Sequence, residues 1–235
     1  KCKLFASRRN MLLTLSNVLD EADLRDVRDL VATLGWRDGA ETAGGMARAV
    51  KRNQQADLTS RTGAQVRQLL KAKVERHPVL RAAAQPRQFS KLIVSRTEEG
   101  GGYGHHVDNP FMGAGESRLR TDFSFTLFLS DPGDYEGGEL EIDLAGMTQS
   151  IKLDAGDMVL YPSTSLHRVA PVTSGKRLVC VGWIESSVPD AAVREIIFDL
   201  ENLRSSLSGR LDLQSPEMLV LSKSISNLVR RFGQS

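Results

Sequence analysis

The sequence has few of the features that define several specialised classes of protein. Its 235 residues include only two cysteines, Cys2 and Cys180, and these show no CxxC spacing. Neither a disulfide framework nor a zinc ribbon is therefore predicted, and a reducing compartment is expected. No apolar run approaches the roughly 18 residues that a membrane span requires. These absences predict a cytoplasmic protein with no membrane partner.

An excess of charge of one sign is also missing. The 31 Lys and Arg residues and 29 Asp and Glu residues leave a formal net charge of +2, which predicts no nucleic-acid partner. Hydrophobic residues make up 40% and charged residues 26%, both ordinary for a globular protein, so disordered and fibrous classes are excluded. The length predicts one large domain or two small ones. Function must therefore be sought in particular residues.

The first part of the chain is predicted to be helical. Residues 1–10 are basic and without pattern, and we set them aside as an extension ahead of the fold. Apolar residues at helical spacing predict one helix over residues 20–34 and a second that carries Val66 to Val74. The second helix should end near His77, because a residue that precedes proline disfavours helix.

The middle of the chain is rich in short segments with β-forming residues. Most of them are separated by turn signals such as Asp131-Pro132-Gly133 and Gly137-Gly138. The predicted strands are Leu92 to Arg96, Thr121 to Leu129, Glu139 to Ile142, Ile151 to Leu153, Met158 to Tyr161, His167 to Val172 and Arg177 to Ile184. Many short strands without helices between them predict a double-stranded β-helix, or jelly roll.

The last part of the chain returns to helical periodicity. One helix is predicted after Pro189, and a final helix should open at Ser215-Pro216, an N-cap followed by proline at the first helical position. The predicted fold is therefore mostly β with flanking helices. Its predicted parts are an extension at 1–10, a jelly-roll domain with N-terminal helices at 11–188 and a helical subdomain at 189–235.

Three of the four histidines lie in the β-rich section. His106 and Asp108 are two residues apart, so on a strand both side chains would point to one face, whereas His105 has the opposite parity. His167 starts a later predicted strand. Two histidines and one carboxylate form a facial triad that leaves about three of six octahedral positions open, as in non-haem Fe(II) oxygenases, whereas a structural zinc site is closed. Ordinary hydrogen-bonding roles are the alternative on spacing alone.

Arg177 is the second candidate for a functional role. It shares one face of its predicted strand with Val179 and Val181. If that face looks into the barrel, an unpaired guanidinium there would be too costly to persist. A dicarboxylate ligand could pair with it through two hydrogen bonds. A solvent-facing arginine beside Lys176 is the alternative.

An ordered set of motifs runs through the same section. The motifs are Tyr103-x-x-His106-x-Asp108, the run Arg120 to Leu129, the turn Glu136-Gly137-Gly138-Glu139-Leu140, and Tyr161-Pro162-Ser163 leading to His167 and Arg177. In this set the sequence resembles the Fe(II)- and 2-oxoglutarate-dependent PKHD-type hydroxylases, bacterial relatives of the prolyl 4-hydroxylases. The resemblance covers the chain from about Met11 to its C-terminus, helical tail included.

The resemblance implies both an activity and a set of site residues. His106, Asp108 and His167 would be the catalytic centre and bind Fe(II), and Arg177 would hold the distal carboxylate of 2-oxoglutarate. Oxidative decarboxylation of 2-oxoglutarate with O2 would yield succinate and CO2 and hydroxylate a substrate, with L-ascorbate as the reductant. Asp108 is retained, which favours hydroxylation over halogenation. Thr97 stands where relatives often carry tyrosine. A contribution of this side chain to 2-oxoglutarate binding is therefore in question.

Three functions follow from these residues. The leading one is a 2-oxoglutarate-dependent dioxygenase. The second is a jelly-roll module that binds or senses a metal without turnover, and the third is a zinc hydrolase, which ranks last because Asp108 is already used as a ligand. The resemblance links the substrate to iron or siderophore metabolism, and a protein substrate or a homo-oligomer is left open.

Overall fold

Two β-sheets face each other in the computed structural model, which describes residues 3–7, 10–42, 50–144 and 146–234. The larger sheet has ten strands, eight of which follow one another in hydrogen-bonded order. In that order they are β1 (Lys3–Ser7), β2 (Asn10–Leu15), β15 (Met158–Pro162), β11 (Phe123–Phe128), β17 (Val172–Ser186), β7 (Ile93–Glu98), β5 (Gln54–Ala56) and β3 (Trp36–Asp38). Two further strands, β6 (Pro86–Phe89) and β12 (Tyr135–Gly137), pair with β17.

The smaller sheet has five strands and carries the histidines. Its order is β14 (Met147–Ile151), β13 (Leu140–Leu144), β16 (His167–Val169), β8 (Gly102–His106) and β4 (Lys51–Arg52). A separate two-stranded ribbon is formed by β9 (Phe111–Met112) and β10 (Leu119–Arg120). Antiparallel pairing across both sheets gives the predicted jelly roll, whose interior lies between them.

The two faces of strand β11 contribute to two different buried regions, the hydrophobic core and the cavity between the sheets. All six of its residues are buried. Phe123, Phe125 and Leu127 pack into the hydrophobic core beneath the helices, as their parity predicts. Ser124 and Thr126 alternate with them and line the cavity between the sheets. The strand therefore presents small hydroxyl side chains to the cavity and large apolar ones to the core.

Five α-helices flank the sheets within the described residues. They are α1 (Glu21–Ala32), α2 (Arg61–Arg76), α3 (Pro78–Ala84), α4 (Ala191–Leu207) and α5 (Pro216–Phe232). The first three pack their apolar faces on the larger sheet, through residues such as Val27, Leu70 and Leu80. Helices α4 and α5 pack on each other around Ile197 and Ile225. Within the described residues, no helix is both long enough and apolar enough to cross a membrane.

Several elements differ from the sequence-based predictions. Lys3–Ser7, part of the segment set aside as an extension, pairs with β2. The strand predicted over Ile151 to Leu153 is wrong, because the strand there is Met147–Ile151. That edge strand is polar and mostly exposed, so it shows no alternating apolar pattern. The strand predicted from His167 to Val172 is broken at Pro171, which has no N–H to donate to a ladder.

The end of α2 was predicted correctly, but the helix that follows it was not predicted. Helix α2 ends before His77 and Pro78, as expected. A new helix starts at once, with Pro78 at its first position and the His77 ring as its N-cap. Of the two cysteines, Cys180 is buried and free, and Cys2 lies outside the described residues.

Candidate metal centre

His106, Asp108 and His167 converge inside the jelly roll, where one ligand atom from each residue lies within 4.8 Å of the other two. Strands β8 and β16 place the histidines side by side, because His106 and His167 are partners in the register. Nε2 of His106 lies 3.9 Å from Oδ1 of Asp108, and Nε2 of His167 lies 3.8 Å from Oδ2. The three side chains therefore form one cluster of two imidazoles and a carboxylate.

Asp108 reaches this cluster by a different route from the predicted one. The parity argument treated His106 and Asp108 as members of one strand, but β8 ends at His106. The carboxylate nevertheless lies on the same side as the imidazole. His105, with the opposite parity, is exposed and faces away from the cavity lining.

Backbone carbonyls orient both imidazole rings. Nδ1 of His106 lies 2.9 Å from the carbonyl oxygen of Gly104, and Nδ1 of His167 lies 2.9 Å from that of Ser165. Because a carbonyl only accepts, each Nδ1 carries the proton and each Nε2 keeps a lone pair directed into the cluster. Burial, reinforced by His167, lowers the pKa of His106 to about 4, which keeps its ring neutral.

Two serines hold the carboxylate of Asp108. The Ser124 hydroxyl on β11 donates to Oδ2 of Asp108 at 2.5 Å. The Ser163 hydroxyl lies 2.7 Å from the same Ser124 oxygen. Since Ser124 has a single hydrogen and gives it to Asp108, Ser163 must donate to Ser124. This chain fixes the carboxylate from behind and leaves its remaining lone pairs for a ligand.

The donor set fits a divalent transition metal with open coordination positions. Two neutral imidazole nitrogens and one carboxylate are the ligands of the Fe(II) facial triad. The hydrogen bonds behind all three ligands are those that orient the ligands of a metal and raise their basicity. The cavity adjoins the cluster, so positions opposite the three ligands open onto space rather than onto further protein donors.

Aromatic rings form the walls around the cluster. The Tyr103 ring stacks on His106, with centroids 3.6 Å apart and planes at 21°. The Tyr161 ring meets His167 edge-on at 5.2 Å. Burial raises the pKa of Tyr103 to about 12 and that of Tyr161 well above its usual value. Both phenols therefore stay neutral at physiological pH.

Arg177 lies in the cavity wall and is only 3% exposed. Its neighbour Lys176 faces solvent and pairs with Glu98, with Nζ and Oε1 3.2 Å apart. Among the residues that the structure describes, none forms an ion pair with Arg177, and its Nε has no hydrogen-bond partner. Burial lowers the pKa of Arg177. A buried guanidinium without an anion is the arrangement that an anionic ligand would complete.

The aliphatic part of the Arg177 side chain packs closely against Gly138. A Cβ atom added to Gly138 would lie 3.0 Å from Cδ of Arg177 and 3.1 Å from Cε2 of Tyr135. Gly138 also has φ of +67°, which favours glycine. The buried Tyr135 hydroxyl lies beside the Arg177 guanidinium, although no contact of this hydroxyl within the described residues has good hydrogen-bond geometry. In register, Thr97 on β7 lies opposite Arg177.

Arg120 and Asp122 belong to a different, structural network. Nε and Nη2 of Arg120 both donate to Asp122, each at 2.9 Å in its shorter contact. Asp122 also accepts from the Ser186 backbone N–H, and Glu185 accepts from that of Arg120. The Asp122 carbonyl oxygen accepts from the Ser163 N–H at 3.2 Å. This pair therefore anchors the loop behind the metal cluster and is absent from the residues that line the cavity.

Sequence reasoning missed several residues that line the cavity. Lys51 belongs to no motif. Ser124 and Thr126 lie in the run Arg120 to Leu129 but were assigned no role, because a single lysine, serine or threonine does not signal a site. Trp183 also lines the cavity, and its indole N–H has no partner among the described residues. Strand parity places Trp183 on the same face of β17 as Arg177 and Val179, and this was the signal available.

Comparison with known proteins identifies the class. Residues 92–185 match the family model of the 2OG-Fe(II) oxygenase superfamily. A PKHD-type hydroxylase of Hyphomonas neptunium is 54% identical over 222 residues, which cover 94% of this chain and 99% of the relative. Another, from Acidovorax ebreus, is 40% identical over 226 residues, covering 95% of this chain and all (100%) of the relative.

Solved structures show the same fold at low identity. A prolyl hydroxylase from Trichoplax adhaerens, in complex with a peptide fragment of the hypoxia inducible factor oxygen degradation domain, gives a TM-score of 0.58 at 16% identity. The match covers 74% of this chain and 83% of that one. A viral collagen prolyl hydroxylase from Paramecium Bursaria Chlorella virus-1 gives 0.51 at 17% identity, covering 74% and 96%.

The fold, the donor cluster and the relatives define an oxygenase that depends on Fe(II) and 2-oxoglutarate. The chain belongs to the PKHD-type hydroxylases. It is therefore an enzyme of the dioxygenase class, and neither the module without turnover nor the zinc hydrolase is supported. Fe(II) and 2-oxoglutarate are the cofactor and cosubstrate of the family, and O2 is the co-reactant.

Proposed function

We propose that the protein hydroxylates its substrate at an Fe(II) ion held by His106, Asp108 and His167, with 2-oxoglutarate anchored by Arg177. The observation that carries the proposal is the pairing of two features in one cavity. One is a cluster of three metal-type donors within 4.8 Å of one another. The other is a buried guanidinium that meets no anion among the described residues.

The protein side chains would have distinct tasks in this reaction. His106 and His167 present Nε2, because Gly104 and Ser165 carbonyls hold their Nδ1 protons. Asp108 supplies the single negative charge, steadied by Ser124. When bound, Fe(II) supplies the O2 activation that couples decarboxylation of 2-oxoglutarate to hydroxylation. The aromatic walls exclude water from the reacting centre.

Arg177 would select 2-oxoglutarate among 2-oxoacids. Its guanidinium is suited to a carboxylate because two parallel N–H donors match two oxygens. A 2-oxoacid that lacks the distal carboxylate would leave this buried charge unpaired. Thr97 lies opposite Arg177 in the register and carries no charge, so the arginine would supply the larger share of the binding of the distal carboxylate.

The test of this function is succinate formation. Purified protein with Fe(II), O2 and 2-oxoglutarate should form succinate, more slowly without substrate than with it. Omission of any one of the three should stop the reaction, and so should Asp108→Ala. Tight metal binding without any succinate under these conditions, in the presence of metabolite and peptide pools, would contradict the proposal.

Further features of the proposal concern the setting of the reaction. L-ascorbate would re-reduce iron that has been oxidised off the reaction cycle, and its addition should prolong turnover. We place the enzyme in the cytoplasm, without a nucleic-acid partner, and leave a homo-oligomer open; cell fractionation and gel filtration test these points. An iron-related small molecule and a protein side chain both fall within the proposal, the latter in keeping with the peptide bound by the Trichoplax neighbour.

A further inference from the structure

The helix pair α4 and α5 exposes many large apolar side chains. Of the large hydrophobic residues that are exposed in the described part of the chain, more than half lie from the start of α4 onward. Two of them are Ile196 and Leu203 on α4, which are 50% and 47% exposed. A helix that only covers a core turns polar side chains outward. Exposed apolar side chains that lie close together indicate a surface for a partner.

Apolar residues form a continuous stripe along α4, beside its buried side. The stripe consists of Ile196, Leu200, Leu203 and Leu207. Their spacings of four, three and four residues are those of the a and d positions in a coiled coil. Leu200 and Leu207 are half-buried, and Leu200 packs against the cluster that α4 shares with α5. The stripe therefore borders the contact between the two helices.

Helix α5 continues this apolar surface on the other side of the contact. Leu221 and Leu228 are seven residues apart, which places them on one side of α5, and both are half-buried. The Gln234 N–H donates to the Ser187 carbonyl oxygen at 2.6 Å, so the end of α5 lies beside the start of α4 and the helices are antiparallel. The stripe of α4 and these two leucines of α5 are together called the apolar face.

The opposite face of the helix pair is more polar. A depression there is lined mainly by serines and charged residues, among them Glu201, Ser205 and Ser222. Ser205 follows Ile196 by nine residues, which is two and a half turns of a helix with about 3.6 residues per turn. The depression and the stripe therefore lie on opposite sides of α4, and the apolar side chains are concentrated on one face.

At the end where α4 begins and α5 ends, the two edges of the apolar face carry opposite charges. On α4, Glu195 and Asp199 lie one turn apart beside the stripe. On α5, Arg231 lies about one turn after Leu228. Glu217 lies on the same edge of α5 but at its other end. The edge of α4 is therefore acidic where the edge of α5 is basic.

We propose that the apolar face is an interface between two copies of this chain, in which α4 of one copy packs on α5 of the other. A two-fold axis parallel to the helices places the same face of both copies together, as a symmetric dimer requires. It also brings the acidic edge of α4 to the basic edge of α5 in the other copy, because both edges lie at the same end of the helix pair. This complementarity favours a second copy over an unrelated partner. The inference is independent of the proposed function.

The size of the apolar face sets the expected strength of the dimer. Both helices have 17 residues. Such helices are about 25 Å long and about 20 Å wide side by side, so each copy would contribute roughly 500 Å² of contact. A total of about 1000 Å² is near the lower limit for a specific interface. We therefore expect a reversible dimer that dissociates on dilution.

Sedimentation velocity of the full chain over about 1 to 200 µM measures this association, because the dimer fraction follows the protein concentration. The unaltered protein should change from monomer to dimer across this range. Leu203→Asp places a charge in the centre of the apolar face and should raise the dissociation constant by more than about tenfold. Circular dichroism checks that the variant is folded.

Leu219→Asp is the matched control. Leu219 is 48% exposed, almost the same as Leu203. It precedes Leu228 by nine residues, or two and a half turns, and so lies on the opposite side of α5 from the apolar face. This variant introduces the same charge and should keep the dissociation constant of the unaltered protein.

A charge swap tests the orientation of the two copies. Glu195→Lys and Arg231→Glu should each weaken the dimer about threefold to tenfold. The variant that carries both changes should recover most of this loss, because opposite charges again face one another. Failure to recover would reject the packing of α4 on α5 of the other copy.

A chain that stays monomeric at the highest concentration would overturn the inference, and so would a dimer that Leu203→Asp and Leu219→Asp affect equally. Flotation with vesicles of phosphatidylcholine and phosphatidylglycerol covers another occupant of an apolar helical face. A monomeric protein that binds these vesicles, and loses this binding in Leu203→Asp, would assign the apolar face to a lipid surface and reject the dimer.

Discussion

The two ends of the cavity satisfy their buried polar groups in opposite ways. At the histidine end, the Nδ1 atoms of His106 and His167 meet carbonyls, and Asp108 accepts from Ser124. At the arginine end, Nε of Arg177 has no hydrogen-bond partner among the described residues, and no described residue forms an ion pair with the guanidinium. The protein itself holds the polar groups of the histidine end in place, whereas at the arginine end the described residues leave a buried guanidinium without an anionic partner.

This difference separates preorganisation from recognition. A metal site must present its ligands in one geometry, so a second layer of hydrogen bonds fixes them before the ion arrives. A site for a dicarboxylate gains affinity by leaving a buried cation unpaired, because the ligand then supplies the missing charge. Arg120 provides the contrast, since it is part-buried and already pairs with Asp122 and the Ser186 carbonyl.

Removal of any one metal ligand at the histidine end should abolish activity. His106→Ala, Asp108→Ala and His167→Ala should each lower metal affinity by more than about 100-fold and abolish succinate formation, because each removes one of three protein ligands. Calorimetry with Mn(II) and a succinate assay measure the two effects. His105→Ala is the control and should retain both. A requirement for His105 rather than His106 would show that the observed cluster is not the metal site.

Substitution of Arg177 should weaken 2-oxoglutarate binding but leave metal binding unchanged. Arg177→Leu should weaken 2-oxoglutarate binding by about 2 to 4 kcal/mol, roughly 30-fold to nearly 1000-fold, because a charge-assisted bidentate contact is lost. Arg177→Lys should fall between, since an ammonium keeps the charge but loses the fork. Titration of 2-oxoglutarate into the Mn(II) protein measures the change.

Lys176→Met is the matched control for the arginine variants, because Lys176 is adjacent but faces solvent beside Glu98. It should bind 2-oxoglutarate like the unaltered protein. An Arg177→Leu variant with unchanged 2-oxoglutarate affinity would remove the distinction between the two ends of the cavity.

The second layer behind Asp108 should have a smaller effect than the ligands themselves. Ser124→Ala removes the hydroxyl that donates to Asp108 and leaves Ser163 without its acceptor. Loss of such a partner should weaken metal binding about 10- to 100-fold while 2-oxoglutarate affinity of the metal-saturated protein changes little. Ser130→Ala, which removes a buried serine that bonds only to Leu178, is the control. Equal metal affinity in both variants would argue against preorganisation.

The structural arginine should affect stability rather than ligand binding. Asp122→Asn weakens the acceptor for Arg120 and for the Ser186 N–H. We expect a loss of about 1 to 3 kcal/mol in the free energy of unfolding, measured by urea denaturation, with 2-oxoglutarate affinity unchanged. A large fall in 2-oxoglutarate affinity with normal stability would place Asp122 in the ligand site instead.

The sequence by itself determined the class of fold, and it predicted the residues of the candidate site. Short β-rich segments separated by turn residues predicted the jelly roll, and strand parity grouped Arg177 with Val179 and Val181 on one face of β17, which is the face that lines the cavity. Both depend on local geometry, since a strand alternates its side chains whatever surrounds it. The polar edge strand β14 and the short helix α3 were not predicted, because neither segment shows the hydrophobic periodicity on which sequence-based predictions of strands and helices depend.

Only the tertiary structure decided which residues stand behind and beside the site. Asp108 lies beyond the end of β8, so its place next to His106 comes from packing and from Ser124 rather than from strand alternation. Lys51 enters the cavity because β4 pairs with β8, a contact between segments that share no sequence signal. The physical reason is that hydrogen bonds and charges act through space, and the distances between strands are set only when the two sheets close on one another.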